Sequence, residues 1–311
     1  MDRYLVTGGA GFIGSHIAET LARRGKKVRV LDNFLTGKRE NLAGFLGAIE
    51  LLEGDIRDLE TCRRAARGMD CVLHQAALPS VPRSVSDPLT TNGINITGTL
   101  NMLVAARDAE VGRFVFASSS SAYGADPRLP KKEGNEGDPL SPYAVGKVAG
   151  EHYLRLFSDL YGLKTIALRY FNVFGPRQDP NSQYAAVIPL FITKVLRGES
   201  PAVFGDGKQS RDFTYVENVV EANILASEAE VRGSEVINIA CGEGTTVNGL
   251  LRSINGLLKT AVPAAYAPER PGDIKHSLAD ISRARRVLGY APRVSFEEGL
   301  DKTIAWYKGR P

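Results

Sequence analysis

Thr7-Gly8-Gly9-Ala10-Gly11-Phe12-Ile13-Gly14 closes the first apolar run of this 311-residue chain and spaces its glycines three residues apart. Gly8 permits a tight turn, Gly11 lets backbone amides approach a pyrophosphate, and Gly14 lets a helix pack closely on a strand. Glycine-rich turns are common, so the triplet alone is weak evidence. Its place between a strand-like and a helix-like pattern predicts a dinucleotide-binding turn.

A helix and a second strand are predicted directly after this turn. Apolar residues recur at helical spacing from Ile13 to Leu21, and Gly25 stands where a helix commonly ends. The free N–H groups at the start of such a helix face the phosphates. Asp32 closes the next strand-like run, 18 residues after Gly14. A carboxylate there accepts hydrogen bonds from ribose hydroxyls and repels a 2′-phosphate, which favours NAD over NADP.

Further cofactor contacts are predicted where the next strands end. We expect Asp55 to hydrogen-bond the adenine amine and the small residues after Gln75 to let the cofactor cross the strand ends. Strand-end packing explains these features equally well, and Asp32 also suits the start of a turn. Lys38 and Arg39 leave NADP open as an alternative. The cofactor residues predicted here are Gly8, Gly11, Phe12, Ile13, Gly14, Asp32, Asn33, Asp55, Ile56, Gln75, Ala76 and Ala77.

Strand-like runs alternate with helical periodicity through the first half of the chain. This alternation predicts an α/β fold with a Rossmann-type, doubly wound parallel sheet. Helices are predicted over Pro88–Ala109 and Pro142–Tyr161. The strand-like runs are Tyr4–Thr7, Val28–Asp32, Ile49–Glu53, Cys71–Gln75, Phe114–Ser118 and Thr165–Leu168.

The second part of the chain lacks the regular alternation of strand-like and helical patterns. Prolines and glycines are irregularly spaced after Phe174-Gly175-Pro176, followed by a helical pattern at Val216–Glu230 and a strand-like run at Glu235–Ile239. We predict an NAD-binding domain over residues 1–172 and a smaller, mixed C-terminal substrate domain over 173–311. The two are expected to interleave, with segments near 213–240 packing onto the first domain.

Composition excludes several classes of protein. The chain is 43% hydrophobic, which suffices for a substantial core, and its charge of +4 arises from 39 basic and 35 acidic residues. The basic clusters are short and lack interleaved aromatic residues, which disfavours nucleic-acid binding. Cys62, Cys71 and Cys241 form no CxxC pair, so neither a disulfide framework nor a metal site is expected. No apolar run reaches the roughly 18 residues of a membrane span, and the reducing cytoplasm is the expected location.

A proton-handling site is predicted beside the dinucleotide. Tyr143 and Lys147 lie four residues apart on a predicted helix and therefore on one face. A free tyrosine has a pKa of about 10, so an adjacent ammonium is expected to favour the phenolate. The serine run from Ser118 to Ser121 ends the fifth strand and brings hydroxyls to the sheet edge where ligands bind. Together these residues predict a hydride-transfer enzyme.

The chain resembles the extended short-chain dehydrogenases/reductases, and within them the UDP-galactose/UDP-N-acetylglucosamine 4-epimerases. The likeness runs nearly end to end. The motifs that carry it are Thr-Gly-Gly-Ala-Gly-Phe-Ile-Gly-Ser-His at 7–16, His-Gln-Ala-Ala-Leu at 74–78, Ser-Ser-Ser-Ala-Tyr-Gly at 119–124, Tyr-Ala-Val-Gly-Lys at 143–147, Arg-Tyr-Phe-Asn-Val-Phe-Gly-Pro at 169–176, Gly-Asp-Gly-Lys-Gln-Ser-Arg-Asp-Phe at 205–213 and Arg-Pro-Gly-Asp at 270–273.

The resemblance implies a role for each matching residue. Ser119 would bridge the sugar O4 and the tyrosine, which makes Ser119, Tyr143 and Lys147 the catalytic set, with Tyr143 and Lys147 also contacting NAD. Two arginines would face the pyrophosphate, although surface salt bridges are an alternative for both. The implied substrate-binding residues are Ser119, Ser120, Ser121, Tyr143, Asn172, Arg211, Arg270, Asp273 and Ser277.

The implied reaction is an epimerisation at C4 of a UDP-sugar. A phenolate at Tyr143 takes the hydroxyl proton while hydride moves to NAD, and the 4-keto sugar rotates before hydride returns to its other face. Related dehydratases place an Asp-Glu pair where this chain has Ser120 and Ser121, and decarboxylases usually keep a glutamate at the position of Ser121. Both reactions are therefore disfavoured. A non-enzymatic NAD-binding protein is disfavoured because the tyrosine and lysine are both present.

The resemblance also implies which UDP-sugars the site accepts and how two copies of the chain associate. Ser277 matches a gatekeeper position where a small residue leaves room for an N-acetyl group, so hexoses and N-acetylhexosamines are both expected. UDP-glucuronate is the alternative, since Arg83 or the serine run would meet a carboxylate. The helices from Pro88 and Pro142 resemble a pair that forms a homodimer interface. Packing on the sheet explains their apolar residues Leu100, Leu103 and Val104 equally well.

Overall fold

The computed structural model describes residues 1–180, 186–269 and 275–309. Its centre is a seven-stranded, wholly parallel sheet in the order β11-β6-β5-β4-β1-β2-β3. The α/β, doubly wound fold predicted from the sequence is thereby confirmed. The strands are β1 Arg3–Thr7, β2 Lys27–Asp32, β3 Ile49–Glu53, β4 Cys71–His74, β5 Arg113–Ser119, β6 Thr165–Tyr170 and β11 Ser234–Ile239.

Helices cover both faces of the sheet, which explains why its strands read as continuous apolar runs. Tyr4 and Val6 point into one buried apolar cluster, whereas Leu5 between them points into the other. The helices are α1 Phe12–Arg23, α2 Leu59–Ala66, α3 Val81–Ser86, α4 Pro88–Asn92, α5 Thr99–Asp108, α6 Pro142–Tyr161, α7 Val187–Leu196, α8 Val216–Glu228, α9 Val247–Leu258, α10 Ser282–Leu288 and α11 Phe296–Lys308.

The long helix predicted over Pro88–Ala109 changes its hydrogen-bond pattern part-way along. A π-helical segment, Gly93–Gly98, separates α4 from α5. Its widened turn directs Asn95 towards the chain after β4, where the side-chain amide accepts from Leu78 N (2.8 Å) and donates to Leu78 O (3.2 Å). The chain is thus helical from Pro88 to Asp108, as predicted, and the π-helical segment inside that helix was not predicted.

Helix α6 matches its predicted bounds, Pro142–Tyr161. Ser141 caps it by accepting from the Ala144 amide (3.2 Å). Gly162 closes it with a left-handed conformation, φ 71°. These local signals hold the helix that carries Tyr143 and Lys147.

The second part of the chain joins the sheet and adds small strand pairs. β11 lies beside β6 at one edge, and α8 packs on α1. The other pairs are formed by β7 Val173–Phe174 with β10 Thr214–Tyr215, β8 Ala202–Phe204 with β13 Ala265–Ala267, and β9 Ser210–Arg211 with β12 Thr245–Thr246. The boundary at residue 172 stays a prediction. Within the described ranges, no helix combines the length and apolarity that a membrane span requires.

Candidate active site

A cavity of about 1260 Å³ opens where strand order reverses, between β1 and β4 at their carboxyl ends. This is the place where ligands bind in doubly wound sheets. Of the residues predicted to bind cofactor or substrate, all those within the described ranges line this cavity. They are Gly8, Gly11, Phe12, Ile13, Gly14, Asp32, Asn33, Asp55, Ile56, Gln75, Ala76, Ala77, Ser119, Ser120, Ser121, Tyr143, Lys147, Asn172, Arg211 and Ser277. Arg270 and Asp273 lie outside the described residues.

The glycine turn fits a pyrophosphate. Gly8 has φ +66°, and a Cβ there would lie 2.7 Å from the Ala76 amide nitrogen. A Cβ on Gly14 would lie 2.2 Å from the Gly8 carbonyl oxygen. Both contacts are too short for a residue with a side chain, so only glycine fits at positions 8 and 14. Helix α1 then begins at Phe12 with its amides facing the cavity, as a dinucleotide site requires.

Asp32 organises the turn as well as facing the cavity. Its carboxylate accepts from the amides of Ala10 (2.9 Å) and Phe34 (2.8 Å). Burial raises the pKa of Asp32, and these two hydrogen bonds oppose the shift. A carboxylate has about four acceptor positions, so the structural role leaves acceptors for ribose hydroxyls.

Lys38 and Arg39, the two cations that made NADP an alternative cofactor, are both paired with carboxylates. Lys38 Nζ lies 2.9 Å from Asp179 Oδ2, and Arg39 forms an ion pair with Glu53. The Lys38–Asp179 pair joins the loop after β2 to the segment that follows β7. Both of its residues line the cavity.

Asp55 and Gln75 are also committed to protein partners. Asp55 accepts from Asn33 Nδ2 (2.8 Å) and from Arg57, whose guanidinium lowers the pKa of Asp55 to about 2. It is therefore ionised and remains an acceptor for an adenine amine. Gln75 donates to Asn223 Oδ1 (3.0 Å) and accepts from the Tyr170 hydroxyl (3.1 Å). The Gln75 side chain thus fixes the end of β4.

Tyr143 and Ser119 form the proton-handling pair. Burial raises the pKa of the Tyr143 phenol, and a side-chain hydrogen bond from Ser119 opposes that shift. Lys147 Nζ donates to the Ala117 carbonyl (2.6 Å) and lies 5.6 Å from the centre of the Tyr143 ring. The ammonium of Lys147 is thus directed to the end of β5, and its effect on the phenol stays a prediction.

Lys147 is itself a perturbed group. It is buried, and burial lowers its pKa to about 8, with Glu151 opposing the shift. Glu151 lies one helical turn further along α6 and is held by Arg169 through two hydrogen bonds of 2.8 and 2.6 Å. Tyr143, Lys147 and Glu151 therefore share one face of α6. The Glu151–Arg169 pair was not predicted, because only the folded sheet brings β6 beside this helix.

The serine run divides into different roles. Ser118 lines the cavity with the other three serines, and its hydroxyl donates to Glu151 Oε1 (2.5 Å). Ser119 Oγ accepts from the Ser121 amide (3.1 Å). Ser121 Oγ is buried and has no hydrogen-bond partner in the described part of the chain, although Ser121 lines the cavity. The Ser121 hydroxyl is therefore available to hydrogen-bond a ligand in the cavity.

His74 belongs to one of the family motifs, but no catalytic or binding role was predicted for it. Its Nδ1 lies 2.8 Å from Thr7 Oγ1 and its Nε2 lies 3.1 Å from Thr99 Oγ1. Burial lowers the pKa of His74 to about 3, so the ring is neutral. Thr7 Oγ1 in turn accepts from the Ala76 amide (3.2 Å). His74 therefore ties the glycine turn, β4 and α5 together.

Arg211, Ser277 and Asn172 line the same cavity as the glycine turn. Arg211 Nη1 donates to the carbonyls of Ser210 (2.9 Å) and Lys275 (3.3 Å), and the Ser277 amide donates to Ser210 (3.0 Å). Asn172 takes a left-handed conformation, φ 35°. Within the described residues, no three His, Cys, Asp or Glu side chains gather as a metal site.

Comparison with known proteins assigns the family. The profile of the NAD dependent epimerase/dehydratase family matches residues 4–240. The chain belongs to this family. A UDP-glucose 4-epimerase of Mycolicibacterium smegmatis is 38% identical over 99% of both chains.

Two solved structures share the whole fold. One is a UDP-N-acetylglucosamine 4-epimerase from Methanobrevibacter ruminantium M1 in complex with UDP-N-acetylmuramic acid, with 45% identity, TM-score 0.94 and coverage of 99% of this chain and 98% of that one. The other is a UDP-glucose 4-epimerase of Thermus thermophilus in complex with NAD, with 40% identity, TM-score 0.90 and coverage of 99% and 100%. The chain is thus an extended short-chain dehydrogenase/reductase and an isomerase of the UDP-sugar 4-epimerase class, and its cofactor is NAD.

Proposed function

We propose that the enzyme interconverts UDP-glucose with UDP-galactose and UDP-N-acetylglucosamine with UDP-N-acetylgalactosamine. The observation that carries this proposal is the Ser119–Tyr143 pair. It lies in the same cavity as the glycine turn and shares that cavity with the small side chain of Ser277. NAD, when bound, supplies the hydride acceptor at the sugar C4 and returns the hydride to the opposite face.

The chain's own residues handle the proton and hold the sugar. Ser119 contacts the Tyr143 phenol, so a sugar O4 between them would meet a donor and an acceptor at once. Ser121 offers a buried hydroxyl without a protein partner among the described residues for another sugar hydroxyl. Arg211 and Asn172 would hold the diphosphate while the 4-keto sugar rotates. After the rotation the Tyr143 hydroxyl would return the proton to O4 as hydride comes back to the opposite face of C4.

Ser277 supports tolerance of an N-acetyl group. It lines the cavity and its side chain is small, and a 45% identical relative was solved with a UDP-sugar that carries such a group. The test compares turnover of UDP-galactose, UDP-N-acetylgalactosamine and UDP-glucuronate by wild type and Ser277→Tyr. We expect Ser277→Tyr to lose the N-acetylated substrate by about tenfold or more while keeping UDP-galactose, because an aromatic ring would fill that space. Equal turnover of both sugars by the variant contradicts the assigned role of Ser277.

UDP-glucuronate is the second candidate substrate. Arg83 in α3 lines the cavity, and within the described ranges its guanidinium forms no ion pair or hydrogen bond. A sugar carboxylate would supply the missing partner. Exclusive turnover of the uronate in the same comparison would replace the neutral sugars as the proposed substrates.

A homodimer is part of the proposal. Val145, Leu156 and Leu160 are exposed apolar residues on one face of α6, beside which α4 exposes 85% of Leu89. Leu103 belongs to the core, whereas Leu100 and Val104 are half-buried. Exposed apolar side chains on two neighbouring helices suit an interface with a second copy of the chain. The reducing cytoplasm remains the proposed location, in keeping with three free cysteines.

A further inference from the structure

Asp212 is a buried carboxylate held entirely by backbone amides. It lies between β9 and β10 and has no solvent exposure. Its Oδ1 accepts from the Cys241 amide (3.0 Å), and its Oδ2 accepts from the amides of Gly242 (3.0 Å) and Ala279 (3.2 Å). Burial raises the pKa of Asp212 to about 6 even though these hydrogen bonds oppose the shift.

The amides that bond Asp212 come from two separate parts of the fold. Cys241 and Gly242 follow β11, which is fixed in the main sheet beside β6. Ala279 lies two residues after Ser277 in the segment from Lys275 to Ile281. Asp212 therefore fastens that segment to the edge of the sheet.

The same segment contributes Ser277 to the lining of the cavity. Ser210 and Ser277 are joined by a hydrogen bond between backbone groups (3.0 Å), and Ser210 N donates to Lys275 O (3.0 Å). Arg211 precedes Asp212 in sequence and donates to the carbonyls of both Ser210 and Lys275. Arg211 and Ser277 thus form one hydrogen-bonded unit, and Asp212 links that unit to the sheet.

We propose that Asp212 is a positioning residue for the nucleotide-sugar, holding Arg211 and Ser277 at a fixed place relative to the sheet that carries Tyr143. A carboxylate suits this task because it accepts several N–H bonds from different directions and donates none. An asparagine would turn its NH2 group towards at least one of these amides. The inference rests on the proposed function, because it assumes that Arg211 and Ser277 face the UDP-sugar.

The test compares Asp212→Asn with a matched control, Tyr290→Phe. Tyr290 is also buried, and its hydroxyl donates to the Ala240 carbonyl (3.1 Å) at the same end of β11 without contacting Arg211 or Ser277. UDP affinity is measured by calorimetry, and KM and kcat are measured with UDP-galactose. For Asp212→Asn we expect the Kd for UDP and the KM to rise by about tenfold or more, with bound NAD retained and kcat much less affected.

Tyr290→Phe should lower the melting temperature and leave the Kd for UDP unchanged. The inference is overturned if Asp212→Asn keeps the wild-type Kd and KM, or if both variants weaken UDP equally. Should Asp212→Asn fail to fold, Asp212→Glu replaces it in the test, because this variant keeps the charge but displaces the carboxylate oxygens. Weaker UDP binding by Asp212→Glu with NAD retained supports the positioning role. Unchanged UDP binding overturns it. Failure of wild type to bind UDP would instead refute the proposed function.

Discussion

Tyr143 offers the sharpest single-residue test of the reaction. Tyr143→Phe removes only the phenol oxygen, whose contact is the Ser119 hydroxyl, and leaves the ring in place. We expect kcat for UDP-galactose to fall by about 10²–10⁴, the usual contribution of one acid–base group. NAD content and melting temperature should stay close to wild type.

Tyr161→Phe is the matched control for that variant. Tyr161 closes the same helix, is 50% exposed and is not one of the residues that line the cavity. It should keep full activity. A Tyr143→Phe enzyme that turns over UDP-galactose at the wild-type rate would remove the phenol from the mechanism.

Lys147 makes a prediction about stability and pH. Its pKa is lowered to about 8 in the folded chain, against about 10.4 unfolded. Between these values the unfolded chain binds more protons, so the free energy of unfolding should rise with pH from about 8 to 10, by on the order of 3 kcal/mol at most. Urea unfolding of the NAD-free protein at pH 7 to 10 measures this, with Lys147→Met as the reference that lacks the group.

Wild type should gain stability relative to Lys147→Met across that range, because the other titrating groups are common to both proteins. A difference that stays constant from pH 7 to 10 would show that Lys147 keeps its charge without cost in the folded chain. The lost bond to the Ala117 carbonyl contributes equally at every pH below the folded pKa.

At the residue scale, the sequence predicted which side chains gather and not what each one contacts. Residue type and position at a strand end place Ser119, Tyr143 and Lys147 in one cavity. The ammonium of Lys147 nevertheless points to Ala117, and Ser118 turns to Glu151. These choices depend on partners that come from other strands, which local spacing does not encode.

The glycine turn is the element whose geometry is most restrictive. In Gly14→Ala the new Cβ would lie 2.2 Å from the Gly8 carbonyl oxygen, which is backbone and cannot give way cheaply. We expect the purified variant to contain little NAD and to bind added NAD at least about tenfold more weakly, as shown by absorbance and calorimetry. Gly256→Ala is the control.

Gly256 lies inside α9, and an added Cβ there meets nothing within 4 Å. That change should leave NAD binding intact and raise stability by about 0.5–1 kcal/mol through a better helix propensity. A Gly14→Ala protein that retains NAD as well as Gly256→Ala would show that the turn relaxes.

At the element scale, local signals predicted α6 and the strands closely, because capping residues and apolar runs are read within one segment. The strand predicted over Thr165–Leu168 continues to Tyr170 in the structure, and the one predicted over Cys71–Gln75 ends at His74. The π-helical segment Gly93–Gly98 was not predicted, and its Asn95 bonds to Leu78 in another part of the chain, a contact that local sequence does not encode.

For the whole molecule, alternating strands and helices were enough to predict the parallel sheet and the place of the cavity. The contacts that close the second part of the chain onto the first were not predictable in this way. Lys38 with Asp179, and Asp212 with Cys241 and Ala279, join positions far apart in sequence. Ion pairs and carboxylate–amide hydrogen bonds are common, so the partners in these contacts become known only once the topology of the fold is known.

The assembly prediction also belongs to the whole molecule. Leu89 and Leu160 expose 85% and 68% of their surface on neighbouring helices, α4 and α6, an arrangement that costs solvation free energy unless a partner covers it. Wild type should therefore sediment at twice the 33.6 kDa of one chain. Leu89→Glu with Leu160→Glu places a charge at each end of this self-complementary face and should give the single-chain mass.

Leu257→Glu is the control, because Leu257 is 38% exposed on α9 and lies outside that face. It should leave the mass of wild type unchanged. A double variant that keeps the wild-type mass, or a wild type that sediments as one chain, would refute the α4–α6 interface. Since α6 also lines the cavity through Tyr143 and Lys147, dissociation should lower kcat for UDP-galactose as well as the mass.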